Sequence, residues 1–163
     1  MRVGATPHGY VRRMAENAPF RLPDDVRALL AKPNPATITT LRKDGAPVSV
    51  ATWYLLDSSE EHGDRIHVNM DQGRKRLGHL RRDPRVALTV LDEAGWYTHV
   101  SLTGHVEEMA DDPDLAGIDR LALHYTGSPY KRRDRGRVDA WIAIDKVHGW
   151  GRTSIAAGTP AGS

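Results

Sequence analysis

The chain has no cysteine, which removes disulfides, thiol nucleophiles and thiolate metal sites together and says nothing about compartment. No apolar run approaches the roughly 20 residues that span a bilayer, and Met1 to Phe20 lacks the apolar centre of a secretory signal. A soluble, cytoplasmic protein is expected. The nucleotide cradles GxGxxG and GxxxxGK followed by Ser or Thr are missing, as is the GxSxG turn of a serine hydrolase. The eight histidines form no HExxH, HxH or HxxxH pair, and His99 and His105 are too far apart along one strand to share an ion. No metal site is expected. Net charge is also small, +2 from 23 Lys and Arg against 21 Asp and Glu. Clustering of the cations, rather than their number, carries the information.

What is present suits one ordinary domain, with 163 residues of which 39% are hydrophobic. Residues 1–20 read as a flexible N-terminal arm, 21–151 as the globular domain and 152–163 as a flexible C-terminal tail. LPDDVRALLAKP is a short helix capped by Asp24 and stopped by proline. ATITTL and PVSVATWYLL alternate about an Asp44-Gly45 turn and predict a hairpin. The polar run DSSEEHGD separates that hairpin from a third strand, RIHVNM. A short helix follows, with Asp71 as cap, Leu77 and Leu80 on its inner face and a stop at Asp83-Pro84. RVALTVLD and WYTHVSLTGHVEEM form a second hairpin, and DDPDLAGIDRLALHY forms an amphipathic helix with Asp112 as cap and Pro113 at its first position. After the loop TGSPYKRRDRGR, the last strand is RVDAWIAID. Six or so strands with three brief helices make a small antiparallel barrel.

Six cations lie between Asn69 and Arg85, and they divide by position. Arg74, Lys75 and Arg76 stand at a helix start, where positive charge opposes the helix dipole unless an anion is bound there. Arg81, Arg82 and Arg85 stand where cations suit the dipole without a ligand, so they are assigned no binding role. A phosphate at the first group is the sharp reading, and an ordinary solvated face is the bland one. A second cluster, Lys131, Arg132, Arg133, Arg135 and Arg137, lies in a loop beside Tyr125 and Tyr130. It is either a second anion site or simply solvated. Trp53, Trp96 and Trp141 fall on strands, where aromatics serve core or interface. Trp150, between glycines, is placed to close over something flat. A basic barrel with exposed aromatics is also compatible with single-stranded nucleic acid.

The order of these pieces resembles the pyridoxamine-phosphate-oxidase-like split β-barrel superfamily of flavin and deazaflavin reductases. Within it, the chain is most similar to the small actinobacterial oxidoreductases that use the deazaflavin coenzyme F420. The matching pieces are ATITTLRKDGAPVSVATWY, RIHVNM with GRKRLGHLRRDPRVALTVLD, GWYTHVSLTGHVEE, DRLALHYTGSPY and RVDAWIAIDKVHGWG, from about Leu29 to Gly151. The resemblance implies a six- to seven-stranded Greek-key barrel and a homodimer with cofactor grooves between subunits. It implies that Arg74, Lys75 and Arg76 hold the cofactor phosphate, and that Val50, Ala51, Thr52, Asn69 and Met70 line the ring and its chain. Trp96 of the partner subunit, with Trp150 and Gly151, would complete the wall. The anionic oligoglutamate tail of F420 would use cations beyond the phosphate pocket, a need that FMN lacks.

Two departures from the family pattern stand out. Relatives place Lys-x-Arg-Asn-Leu where this chain has Arg76, Leu77, Gly78, His79 and Leu80. RIHVNM replaces the Arg-x-Val-Leu-Leu-Lys run that holds FMN phosphate in pyridoxamine-phosphate oxidases, so oxidation of vitamin B6 is not carried over. The expected activity is hydride transfer from reduced F420 to a conjugated small molecule, for which the cofactor carries the chemistry and no protein nucleophile is needed. Tyr130 and His105 are the candidate proton donors. The rivals are an FMN-dependent reductase or FMN-binding protein on the same fold, and a non-catalytic module that binds a stored cofactor, haem or nucleic acid.

Overall fold

In ATITTL, alternate residues point inward and outward, and the computed structural model, which describes residues 10–12 and 19–155, shows this alternation as strand β2, Ala36–Leu41. The Asp44-Gly45 turn forms as expected. Gly45 takes φ 84°, Asp44 Oδ1 accepts from Ala46 N at 3.0 Å, and β3 (Pro47–Thr52) returns antiparallel to β2.

Here the expected hairpin strand stops. Leu55–Ser59 is a separate strand, β4, which pairs with β5 (Gly63–Asp71) and not with β2. The break lies at Trp53 and Tyr54. Tyr54 is fully buried, and its hydroxyl donates to Lys32 O at 3.0 Å. The remaining strands are β1 (Tyr10–Arg12), β6 (Arg85–Leu91), β7 (His99–Asp111) and β8 (Arg137–Trp150). All belong to one eight-stranded sheet, ordered β3-β2-β6-β7-β8-β5-β4, with β1 pairing on β8. The two ends of that order are joined by only two residues. Three Cα steps reach at most roughly 11 Å, whereas six strand spacings in a flat sheet amount to roughly 29 Å. The sheet must therefore curl until β3 and β4 come together, and this closure makes the barrel.

The core is the inner face of that sheet, with Ile38, Ile66, Val68, Leu88, Val100 and Ile142 fully buried. The three predicted helices are α1 (Asp24–Leu30), α2 (Lys75–Arg82) and α3 (Ala116–Thr126). Leu77 and Leu80 anchor α2 as their spacing predicts, each worth about 1.5–3 kcal/mol of apolar burial. Three expected helix starts differ. Helix α1 begins at Asp24 itself, so its cap position belongs to Pro23 and not to Asp24, and no side chain caps it. Asp71 stands before a turn, its Oδ1 accepting from Gly73 N at 2.7 Å, and the cap position of α2 belongs to Arg74, which makes no side-chain cap bond. Helix α3 begins at Ala116, after Leu115 in the left-handed region at φ 61°, and not at Pro113. Asp112 caps it nonetheless, by reaching forward to accept from Gly117 N and Ile118 N, both at 3.0 Å.

Of the expected arm, residues 10–12 form β1 and Phe20 is buried. Of the expected tail, Thr153 and Ile155 are buried and Ser154 bonds Asp25. The rest of both segments lies outside the described residues. Among the described residues, no helix is long and apolar enough to cross a membrane.

Candidate functional site

Beside the edge strand β3 lies a groove of about 1180 Å³. Val48, Val50, Ala51 and Thr52 form one side of it. Asn69 and Met70, from the end of β5, continue into Asp71, Gly73 and the first turn of α2 on the other. Trp53, Ile118, Leu121, Tyr125 and Tyr130 make an apolar and aromatic end, and Arg132, Arg135 and Arg137 approach from the start of β8 and the loop before it. The topology accounts for this convergence. Asp71 pairs with Arg137 in the β5–β8 register and Gln72 N bonds Gly136 O at 3.0 Å, so the second basic cluster is brought alongside the first.

The groove is strongly cationic where α2 begins. No acidic residue lies in the first turn of that helix. Asp71 lines the groove but is engaged there, its Oδ1 accepting from Gly73 N and its Oδ2 3.3 Å from Arg135. Arg76 is the telling member. Its Nε and Nη1 are buried without a hydrogen-bond partner among the described residues, and its pKa is held down by burial and then by the charges of Arg74 and Arg137. Leaving charged donors buried and unmet costs about 1–3 kcal/mol or more. A phosphate bound among these groups would meet that need, so the residues present fit the expected anion.

The aromatic end is tightly organised. Trp53 stacks on Tyr125 at 5.3 Å and meets Tyr130 edge-on at 6.4 Å. Tyr125 is committed by its hydroxyl to Asn34 O at 3.0 Å, and burial pushes that phenol up to about 12. Tyr130 presents its hydroxyl 3.4 Å from Arg137 Nη1. Beneath the floor, Asn69 Nδ2 donates to Asp112 Oδ2 (3.0 Å) and Asp139 Oδ1 (2.8 Å), and its Oδ1 accepts from Arg137 Nε at 2.6 Å. His67 Nε2 lies 2.7 Å from the same Asp139 oxygen, which extends the buried polar line under the sheet. On the opposite wall, His79 Nδ1 and Thr40 Oγ1 are 3.0 Å apart.

Val50, Ala51, Thr52, Asn69, Met70, Arg74, Lys75, Arg76 and Tyr130 thus share one groove. The structure does not bring His105 there. On β7 the inward residues are Val100, Leu102 and Gly104, so His105 falls on the other face, with its Nδ1 3.0 Å from Asp145 Oδ2. Trp96, Trp150 and Gly151 also stand apart from the groove of their own chain. Trp96, 70% exposed, meets Tyr97 edge-on, Tyr97 meets Trp150, and Trp150 stacks on His99. Arg133 of the second cluster is spent on Asp119 at 2.8 Å. Arg82 bonds Leu41 O and Arg85 forks onto Asp83, in keeping with structural roles for the cations beyond the first turn.

Sequence reasoning missed Trp53, Thr40 and His79 as groove residues, and it placed Arg137, with Tyr125 nearby, in a second cluster that was either an anion site or solvated. Only Arg137 left a usable signal, because it precedes a strand whose partner, RIHVNM, leads directly into α2.

No curated protein matches the chain. Among solved structures, an F420 reductase is 25% identical with a TM-score of 0.69, over 77% of this chain and 98% of its own. A conserved hypothetical protein of Mycobacterium tuberculosis is 22% identical with a TM-score of 0.59, over 93% of this chain and 94% of its own. General stress protein 26 of Bacillus anthracis shares the fold at 15% identity and a TM-score of 0.54, covering 78% and 92%. The family model for pyridoxamine 5'-phosphate oxidase matches residues 22–151, which takes in every strand from β2 to β8 and all three helices. The chain is a split-barrel protein and belongs to that family.

Proposed function

We propose that this protein is an F420-dependent reductase that passes a hydride from the reduced deazaflavin to a conjugated small molecule. The observation that carries this reading is Arg76, whose Nε and Nη1 are buried without a partner among the described residues, flanked by Arg74 at the head of the groove. Arg74, Lys75 and Arg76 bind the cofactor phosphate, and Val50, Ala51, Thr52 and Met70 pack along its ring. The bound cofactor supplies the hydride. The protein orients the two reactants, keeps water away with the Trp53–Tyr125 stack, and offers a proton from Tyr130, the expected donor that lines the groove.

Two observations favour the deazaflavin over FMN. Arg132 and Arg135 continue the positive charge along the groove, where an oligoglutamate tail would need it. The F420 reductase among the structural relatives aligns over nearly its whole length. The same phosphate clamp would serve FMN, which keeps an FMN-dependent reductase as the second reading. The proposal includes a homodimer. Val50, Trp96, Tyr97 and Trp150 are exposed in the single chain, and the partner's Trp96 region would close the open side of the groove.

The test is a paired titration of the protein with F420 and with FMN, repeated on Arg74→Ala and Arg76→Ala. Tighter binding of F420, weakened in both variants, supports the proposal. Preference for FMN would move the protein to the second reading, and equal affinity of wild type and both variants would remove the phosphate assignment. Sedimentation of the protein reads the dimer.

A further inference from the structure

Arg137 stands at the start of β8 and is only 9% exposed, although the sequence places it in a run of loop cations. Its guanidinium lies 4.8 Å over the Tyr130 ring and faces the groove that Arg74 and Arg76 line. Among the described residues no carboxylate forms an ion pair with it: Asp71 pairs with Arg135 and Asp119 with Arg133, while Asp112 and Asp139 are linked to it through Asn69.

Asn69 explains how a buried cation is held in place without a direct ion pair. Its Nδ2 has two carboxylate acceptors, Asp112 and Asp139, so its carbonyl oxygen must face away from them. That oxygen receives Arg137 Nε. A flipped amide would set oxygen against two carboxylates and NH2 against a guanidinium, so only one orientation is tenable. The carboxamide therefore acts as a spacer between an acidic pair and a cation.

We infer that Arg137 is a fixed cation of the anion site, converging with Arg74 and Arg76 on one phosphate, and that Asn69 is a positioning residue and not a contact to the cofactor ring. This rests on the preceding reading of a phosphorylated cofactor in the groove. Arg74 and Lys75 are exposed and must be ordered when an anion binds, whereas Arg137 is already packed between Asn69 and Tyr130. The repulsion that Arg137 exerts on Arg76 places their charges within reach of one another.

The experiment compares each cofactor with its phosphate-free counterpart: FMN with riboflavin, and F420 with its deazaflavin core. The ratio for FMN and riboflavin isolates the phosphate site from ring binding, and the ratio for F420 and its core reads that site together with the oligoglutamate tail. Arg137→Met keeps the apolar stem against Tyr130 and should shrink the advantage of the phosphorylated form by about tenfold or more. Asn69→Asp keeps the shape but sets a carboxylate on Arg137, and should shrink it similarly. Arg81→Ala, on the exposed far end of α2, should leave the ratio unchanged.

If Arg137→Met retains the full advantage while Arg76→Ala loses it, the inference fails and the preceding reading stands. If Arg76→Ala retains it as well, that reading fails. Thermal melting without cofactor identifies a variant that has lost its fold. Should Arg137→Met be that variant, Asn69→Asp decides, and a full advantage in Asn69→Asp overturns the role given to Arg137.

Discussion

Arg137 lies over the face of Tyr130, 4.8 Å from guanidinium carbon to ring centroid, and its Nη1 reaches the phenol oxygen at 3.4 Å. The ring is held from its edge by Trp53 at 6.4 Å. A phenol fixed on two sides and lining the groove suits the proton donor of the proposed hydride transfer.

Replacing Tyr130 with Phe keeps the ring, its cation contact and its packing, and removes only the hydroxyl. The turnover number with a conjugated enone should fall by about 100-fold, with cofactor affinity unchanged. Steady-state kinetics beside a cofactor titration separates the two. An undiminished turnover number would show that solvent supplies the proton.

Arg76→Met should act on stability and binding in opposite directions. Removing a cation whose buried nitrogens lack partners among the described residues is expected to stabilise the cofactor-free protein by about 1 kcal/mol or more. Cofactor affinity should fall at the same time, by about tenfold or more. Chemical denaturation without cofactor reads the first effect and titration the second. A less stable variant would mean that Arg76 is already satisfied in the free protein.

Gly117→Ala sets two principles against each other. Alanine favours a helix by about 1 kcal/mol over glycine, and Gly117 lies within α3. A Cβ there, however, would run into the Asp139 carboxylate. Asp139 cannot retreat without giving up Asn69 and His67. The clash should win, with a net loss of about 1–3 kcal/mol in denaturant unfolding.

Asp83→Asn should alter acid stability. Hydrogen bonds from the Arg85 side chain, then from its backbone, hold the Asp83 carboxyl at about 2, below its ordinary 3.8. A carboxylate lowered in this way contributes stability above about pH 4 that fades as pH falls toward 2. The variant's melting temperature should therefore depend less steeply on pH across that interval. Because the pair is at the surface, the effect at neutral pH should be small.

The strands that alternate cleanly were legible, and so was the hairpin about Gly45. So were Leu77 and Leu80, because one helical face fixes their burial. Strand β4 was not. Leu55–Ser59 is half exposed on an edge and merges into the polar run after it, so its pattern carries no period. The break before β4 was equally invisible, since Trp53 and Tyr54 suit a strand and only closure of the sheet pulls them out of it. In the groove, the cations of α2 announced themselves by standing against the helix dipole. Arg137 did not, because its meaning comes from Asn69, 68 positions away. His105 was placed by residue type alone, and strand alternation turned it outward.

Strand β8 pairs with β7, β5 and β1, and it follows all of them in the chain. Without it, the sheet would fall into β3-β2-β6-β7, β5-β4 and the lone β1. Joining them requires contacts between distant parts of the sequence, the kind whose loop-closure entropy slows folding. Arg137 is the first residue of that strand. Closure of the barrel and completion of the cationic wall therefore depend on one and the same strand.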